Sequence, residues 1–441
     1  MKIVGVKSKK DGNVFMEKIV PVAFKEDTAG LEPALINIIP EVSYQTIEGF
    51  GGAFTEAASS TLDLLGEENR EKVLRAYFDP QDGIGYSLCR THINSCDFST
   101  ENYAYTEDGD MTLESFDMER DKKSLMPMIL DAQRYGRFKL FASPWSPPAY
   151  MKSNKEMNHG GRLLPECYGL WADYVVKYIE TMRASGIEIW AVTVQNEAKA
   201  TQTWDSCVYT PEEERDFVRD YLGPKLAPMG VKIFFWDHNK ERIYDRAKVM
   251  LSDEAAAQYV EGIAIHWYSG GHFEQLQMFH ELYPDKKIIF SEGCFGFQPI
   301  EEDGWFEGEG YAYEIINDLK NYCTAFCDWN MLLNLQGGPN HVQNFCNAPV
   351  MADTEKNMVY FRPSFYYLGH FSKYIRPGAV RIGSSGAFQQ VSSCAFRNPD
   401  GSIVLVVLNQ TETCLEMNVR LHGQLAPIVA EPHSIATYII Q

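Results

Sequence analysis

Ile187-Glu188-Ile189-Trp190-Ala191-Val192-Thr193-Val194-Gln195-Asn196-Glu197-Ala198 begins as an apolar, β-branched run and breaks at once into two amides and a carboxylate. A run of that kind reads as a strand buried on both faces, as in a parallel sheet. Its polar end then falls at the carboxyl edge, where α/β sheets and barrels carry their chemistry. Lys286-Lys287-Ile288-Ile289-Phe290-Ser291-Glu292-Gly293 repeats the design, an apolar strand closing on a glutamate. Half desolvated at such an edge, a carboxyl group has its pKa raised towards neutrality, which suits it to proton transfer.

Outward from these two strands, the chain from Gln45 onward alternates strand, loop and helix. Strand candidates end at Thr55, Asn94, Ser143, Glu197, Asp237, His266, Glu292 and Asn330. Amphipathic helical patterns lie between them, such as Tyr168 to Ser185 and Thr210 to Leu226; the latter starts on Thr210-Pro211-Glu212-Glu213, a good helix start. Eight strands in this rhythm predict an α/β fold, a (β/α)₈ TIM barrel over residues 44–374. A doubly wound sheet would place a G-x-G-x-x-G loop after the first strand, and Gly49-Phe50-Gly51-Gly52 lacks that spacing. After Pro377-Gly378 the pattern changes to short alternating runs, Phe388 to Phe396, Ile403 to Asn409, Leu415 to Leu421 and Ile435 to Ile440. They predict a small antiparallel β-sandwich over residues 375–441. Residues 1–43 hold one clear strand, Leu35 to Ile39, and are expected to join that sandwich, so that both chain ends build one side domain.

A formal net charge of −20 over 441 residues argues against a nucleic-acid or anionic-membrane partner, since either wants a basic surface. Aromatic residues make up 13%, and aromatic faces are what a protein offers to the apolar faces of sugar rings. The first ten residues show no apolar h-region and no run is long enough for a bilayer. Ten cysteines stand mostly among hydrophobic neighbours, as free thiols do in a reduced cytosol. A cytoplasmic protein is expected. Cys323 and Cys327 are spaced as on one helix face, but no second Cys/His pair follows at zinc-finger spacing. No metal or other cofactor is expected.

Glu197 and Glu292 end strands four and seven, whose carboxyl ends face each other across a barrel mouth. Two carboxylates flanking a bond are the equipment of glycoside hydrolysis, and a separation of roughly 5 Å makes it retaining. Glu292 would attack the anomeric carbon while Glu197 acts as acid and then base. Asn196 either holds the sugar 2-OH or satisfies loose backbone at the strand end. Arg90, inside an apolar strand, must be paired if buried; it either keeps a carboxylate ionised or forms a structural ion pair. Tyr268 is placed to hydrogen-bond Glu292 and Trp267 to wall the pocket, while His266 reads as a core or rim histidine without a proton-transfer role. Trp145, in the stiff loop Pro144-Trp145-Ser146-Pro147-Pro148, suits sugar stacking. Asp97, Trp329 and Asn344 are hydroxyl-binding candidates, and Trp204 a candidate for the leaving-group side.

These residues lie in stretches that resemble glycoside hydrolase family 30, which includes the glucosylceramidases. The matching stretches are Gly49-Phe50-Gly51-Gly52-Ala53, Ser95-Cys96-Asp97-Phe98-Ser99, Ala142-Ser143-Pro144-Trp145-Ser146-Pro147-Pro148, Gln195-Asn196-Glu197, His266-Trp267-Tyr268, Ser291-Glu292, Asp328-Trp329-Asn330 and Gly337-Gly338-Pro339-Asn340. The resemblance implies a barrel with a sandwich from both termini, and metal-free retaining hydrolysis of β-glycosides. It implies that Glu197 is the acid/base and Glu292 the nucleophile. Asp97, Trp145, Asn196, Trp329 and Asn344 would hold the glycone, with Arg90 and Tyr268 supporting the nucleophile. Ala198 stands where many relatives carry proline, and His341 where the glucosylceramidases carry an aromatic; with the short loop Lys199 to Cys207 these leave the aglycone open. The expectation is a small carbohydrate substrate, β-glucosides first and exo-acting on short oligosaccharides. The alternatives are a β-xylosidase, β-fucosidase or β-1,6-glycanase, or a catalytically inactive carbohydrate-binding relative. Oligomeric state stays open.

Overall fold

Eight parallel strands close a barrel: Gly49–Phe54, Leu88–Ile93, Lys139–Pro144, Ala191–Thr193, Lys232–Asn239, Val260–His266, Lys287–Glu292 and Cys323–Asp328. This is a computed structural model, and it describes residues 1–300 and 302–441. The eighth strand pairs back onto the first, Ala325 opposite Gly49 and Asp328 opposite Gly52. Glycine is needed in that first strand because a Cβ on Gly51 would sit 1.7 Å from the Leu88 carbonyl oxygen. The fourth strand is shorter than its apolar run, three residues, with Trp190 and Val194 extending the ladder through N–H bonds to Leu140 O (2.7 Å) and Phe234 O (3.0 Å). Cys323 and Cys327 lie on the eighth strand and not on a helix. A period of two brings residues four apart to one face as readily as a helix does.

Inside the barrel, Leu88, Phe141, Ala191, Phe234, Ala264, Ile289, Ala325 and Cys327 form one apolar cluster. Small side chains (Ala191, Ala264, Ala325, Cys327) are interspersed among large ones, which fills a space too narrow for eight large ones. Two residues further along five of the strands the same face carries Arg90, Ser143, Thr193, His266 and Ser291, all buried. The apolar floor and these five polar positions thus follow from the strand period.

Both chain ends do build the side domain. Lys2–Lys9 pairs antiparallel with Ser434–Ile440, and Leu35–Thr46 pairs with Val380–Gly386 and runs parallel to Leu415–Leu421. In Ile403–Asn409, Val404, Val406 and Leu408 belong to the core shared with the barrel, whereas Leu405 and Val407 belong to the sandwich's own core. Burial on both faces explains why this strand reads as a continuous apolar run. Five strands of this sheet escaped the sequence pattern, Lys2–Lys9, Val14–Ala23, Lys25–Glu26, Val380–Gly386 and Gln424–Ala430; the last is interrupted by Pro427, which sits opposite Asn418. Leu35–Thr46 continues past Ile39 through a register shift between its Ile39 and Ser43 pairings. Phe388 precedes the strand Val391–Arg397 instead of starting it.

The segment after the eighth strand folds back as a three-stranded sheet, Leu332–Asn334, Val350–Asp353 and Met358–Phe361, which braces the loop carrying Asn344. Among the described residues no helix is long and apolar enough to cross a membrane.

Candidate active site

The polar layer is one hydrogen-bonded unit. Arg90 is wholly buried and donates from Nε to Ser143 Oγ (3.0 Å) and from Nη1 to Glu292 Oε2 (2.5 Å). Its Nη2 donates to Asp237 Oδ2 (2.7 Å) and Asn196 Oδ1 (2.9 Å). Asp237 also accepts from Thr193 Oγ1 (2.6 Å) and Ser291 Oγ (2.5 Å) and pairs with His266 Nε2 (2.9 Å). Burial would raise its carboxyl, but Arg90, His266 and Ser291 hold it well below the usual carboxylate range. Charges this deep are stable only when every one is paired and hydrogen-bonded.

Asp237 reaches the layer through a bulge. Ala264 lies opposite Trp236 and Ile265 opposite His238, so Asp237 is the extra residue of the fifth strand. Trp236 and Asp237 both take left-handed φ, +75° and +47°, a conformation that costs non-glycine residues about 1–3 kcal/mol each. The helix Pro211–Phe217 braces it: Glu214, buried and paired with Arg246, accepts the Trp236 N–H at 2.7 Å. The bulge turns both Asp237 and His238 towards the mouth. Glu197, itself at φ +50°, is tied to the same bulge by its N–H bond to Asp237 O (2.8 Å). A second shift, between Ile265 and His266, sets His266 opposite Glu292.

The structure brings the two glutamates together. His266 Nδ1 lies 3.4 Å from Glu197 Oε1 and 3.9 Å from Glu292 Oε1, so these oxygens are at most the two distances end to end, about 7.3 Å, apart. That limit is reached only with the nitrogen on the line between them. Burial opposes the charge on His266, yet Glu292, Asp237 and Glu197 around it push its pKa up to about 9. Burial raises Glu292 against the pull of His266 and Arg90. Glu197, despite burial, is held below its ordinary value by His266 and His238. His238 is pushed down to about 4 by burial, against the attraction of Glu197.

Above the layer opens a cavity of about 380 Å³, lined by Glu197 and Glu292 together with Asp97, Trp145, Asn196, Trp204, Tyr268, Trp329 and Asn344. Tyr268 donates to Glu292 Oε1 at 3.0 Å. Asn344 Nδ2 donates to Asp97 Oδ2 at 3.3 Å, and burial, reinforced by Glu292, pushes the Asp97 carboxyl up to about 8. Trp145 and Trp329 stack on each other, centroids 5.1 Å apart, with the Arg90 guanidinium 4.7 Å from the Trp145 ring. Trp145 is therefore not the exposed platform its loop suggested; only 2% of it is accessible, and it meets the cavity as a rigid wall. Trp267 points the other way and packs on Phe290, Phe295 and Tyr311, because its neighbour His266 occupies the inward position of the alternation. His266 lies fully buried beneath the cavity and not on its rim.

Sequence reasoning missed Asp237, His238 and Asn239, all on the bulged end of the fifth strand. Asp237 closed that strand in the sequence reading, and its polarity after Phe234-Phe235-Trp236 was the available signal. Among the described residues one trio, Glu197, His238 and His266, places potential metal-ligand atoms within 4.8 Å of one another.

Comparison with known proteins gives consistent relatives. The description "Glycosyl hydrolase family 30 TIM-barrel domain" matches residues 47–375, and "Glycosyl hydrolase family 30 beta sandwich domain" matches residues 378–438. Lysosomal acid glucosylceramidase of Mus musculus is 36% identical over 407 residues, 87% of this chain and 79% of the relative. The solved structure of SrfJ from Salmonella typhimurium superposes with a TM-score of 0.97 at 38% identity, covering 100% of both chains. A solved endo-β-1,6-glucanase superposes with a TM-score of 0.92 at 28% identity, covering 99% of each.

Proposed function

The chain belongs to glycoside hydrolase family 30, and from that premise we propose that it hydrolyses β-linked glycosides by double displacement, with Glu292 as nucleophile and Glu197 as acid/base. The observation that carries this reading is the joint approach of both carboxylates to one imidazole nitrogen beneath one cavity. A covalent glycosyl-enzyme forms on Glu292 as Glu197 protonates the leaving oxygen; Glu197 then deprotonates the water that releases the sugar.

The charge set fixes the proton count. Arg90 and His266 bring two positive charges to three carboxyls, Asp237, Glu197 and Glu292, so the glutamates share one proton. Reaction needs it on Glu197. Glu292 has the guanidinium at 2.5 Å and the Tyr268 hydroxyl, whereas Glu197 faces only imidazoles at 3.4 and 3.5 Å. The shifts of the two glutamates run the other way because a charged His266 sits beside Glu197. One proton passing from Glu292 Oε1 to Glu197 Oε1 by way of His266 Nδ1, which gives up one proton and takes the other, reverses the order and leaves the layer's net charge unchanged, which gives His266 the proton-transfer role its sequence position did not advertise.

Asp97, Asn344, Trp145, Trp329 and Asn196 form the glycone subsite in this reading, and Trp204 the aglycone side. All ten cysteines are free thiols, which supports a reducing, cytoplasmic setting and short oligosaccharides as substrates, β-glucosides first. The likeness to the endo-β-1,6-glucanase favours a second reading, β-1,6-glucan cleavage on the same scaffold. Product analysis on β-linked oligosaccharides of graded length separates them: single sugars mean exo action, a ladder means endo.

Turnover of nitrophenyl β-glycosides tests the chemistry. Glu292→Ala abolishes it. Glu197→Ala costs roughly 10²–10⁴-fold on poor leaving groups and far less on good ones. Equal losses on both kinds of leaving group remove Glu197 from the acid role.

A further inference from the structure

The trio of Glu197, His238 and His266 has more order than proton transfer requires. One carboxylate oxygen, Glu197 Oε1, lies 3.5 Å from His238 Nδ1 and 3.4 Å from His266 Nδ1. Ligand atoms of a tetrahedral zinc, each about 2.05 Å from the metal, lie about 3.3 Å from one another. Both Nδ1 atoms are buried and make no hydrogen bond. His266 gives its other nitrogen to Asp237 Oδ1 at 2.9 Å, and Asp237 is locked by Arg90, Thr193 and Ser291. A carboxylate behind a histidine is the arrangement that fixes the tautomer and aim of zinc ligands. His238 is fixed by the strand bulge and by its contact with the Trp236 ring, centroids 4.9 Å apart. With Glu197 and His238 lining the cavity and His266 beneath it, two histidines and a glutamate leave a fourth position for a ligand from the cavity, as in mononuclear zinc sites.

We propose that Glu197, His238 and His266 form a zinc-binding site at which a divalent transition metal ion inhibits the enzyme by taking the acid/base carboxylate as a ligand. The inhibition rests on the glycosidase reading; the binding does not. Zinc and a glycone cannot use Glu197 together, so inhibition is competitive with substrate. No bond of the protein is made or broken beyond coordination, and any proton on His266 Nδ1 leaves to solvent.

The test uses the full chain freed of metal by chelation, with Co²⁺ as spectroscopic probe and Zn²⁺ as competitor. The expected result is the intense visible absorption of low-coordinate Co²⁺ at one equivalent, bleached by Zn²⁺, together with a raised melting midpoint in Zn²⁺. His238→Ala removes the absorption and raises the Zn²⁺ concentration for half-inhibition, relative to the variant's own uninhibited rate, by at least roughly 100-fold, the most that loss of an outer partner alone costs. His238→Gln, closer in size, is the second variant should the alanine not fold. Cys294 and Cys346, with sulfurs 3.5 Å apart at the cavity wall, are the competing zinc ligands. Cys294→Ser must therefore leave the Co²⁺ spectrum unchanged. A wild-type chain without Co²⁺ absorption, unchanged zinc sensitivity in both His238 variants, or sensitivity lost in Cys294→Ser alone overturns the proposal. Metal binding without any glycoside turnover would instead sink the glycosidase reading and leave the site standing.

Discussion

Arg90 is the residue whose replacement separates a structural ion pair from a catalytic support. Arg90→Met keeps the volume of the side chain and removes the guanidinium from between Glu292 at 2.5 Å and Asp237 at 2.7 Å. Asp237 keeps Thr193, Ser291 and His266 as partners; Glu292 keeps only Tyr268 and the more distant His266. Breaking a buried pair from one side costs about 3–5 kcal/mol, a large part of the 5–15 kcal/mol typical of a whole protein. The chain escapes part of that cost by protonating Glu292, whose carboxyl burial already pushes up. Loss of one opposite charge at this range moves a carboxyl by about 1–3 pH units. On the acid limb, where Glu292 is mostly protonated in both proteins, kcat/KM therefore falls by roughly 10- to 1,000-fold, one factor of ten per unit. The acid limb of the pH–rate profile moves to higher pH by the same amount, because the nucleophile must ionise, so part of the loss returns as pH rises. Arg90→Lys keeps a charge but reaches only one of the two carboxylates, and falls between wild type and Arg90→Met. The assay is kcat/KM on a nitrophenyl β-glycoside from acid to alkaline pH, with urea unfolding of the same samples. A lower but unshifted profile in Arg90→Met would refute the reasoning, since Arg90 would then matter for architecture alone.

Asp97→Asn tests the glycone subsite. Asp97 lies in the cavity with its carboxyl pushed up to about 8 and so neutral at pH 7, and loss of a neutral-group hydrogen bond to a sugar hydroxyl costs about 0.5–1.5 kcal/mol, roughly 2- to 13-fold in kcat/KM for each bond; a value at or above that of wild type rejects the assignment. His370 predicts acid sensitivity where the barrel segment meets the side domain. It is buried between Ser8 Oγ and Thr437 Oγ1, both at 2.9 Å, and burial pushes it down to about 3. An unfolded histidine takes a proton below about pH 6.5, so stability falls as pH drops from 6.5 towards 3, by about 3 kcal/mol at pH 4.5. His370→Gln should flatten that part of the urea-midpoint curve, and an unchanged slope would mean that another group carries it.

Much of the barrel was legible because its determinants are local and periodic. Each strand is a short apolar run ending in polar residues, and the spacing between runs leaves room for a helix. The strand ends at Glu197, His266 and Glu292 were therefore readable one by one. The sandwich was less so, since Val380–Gly386 carries few apolar residues and Gln424–Ala430 contains a proline. Both owe their place to partners far along the chain, Leu35–Thr46 for the first and Leu415–Leu421 for the second. The sheet behind Asn344 was hidden for the same reason, its three strands being three or four residues long.

The site shows why residue type and order stop short of geometry. Alternation from Phe234, which faces the barrel interior, would carry Trp236 inward and Asp237 outward. The ladder does the opposite, because one extra residue is stored at Asp237 with Trp236 in left-handed φ. Nothing in Phe234-Phe235-Trp236-Asp237-His238-Asn239 announces it; what holds it is a carboxylate on another element, Glu214, through the Trp236 N–H. Without the bulge, Arg90 would face Glu292 with no Asp237 to share its charge, and His266 would have no carboxylate behind it. His238 would lie elsewhere, and Glu197 would lose the 2.8 Å bond that ties its backbone to Asp237. The placement of the acid, the count of shared protons and the open pair of imidazole nitrogens thus depend on one local break in strand regularity, which costs conformational energy and is offset by buried partners from elsewhere in the chain.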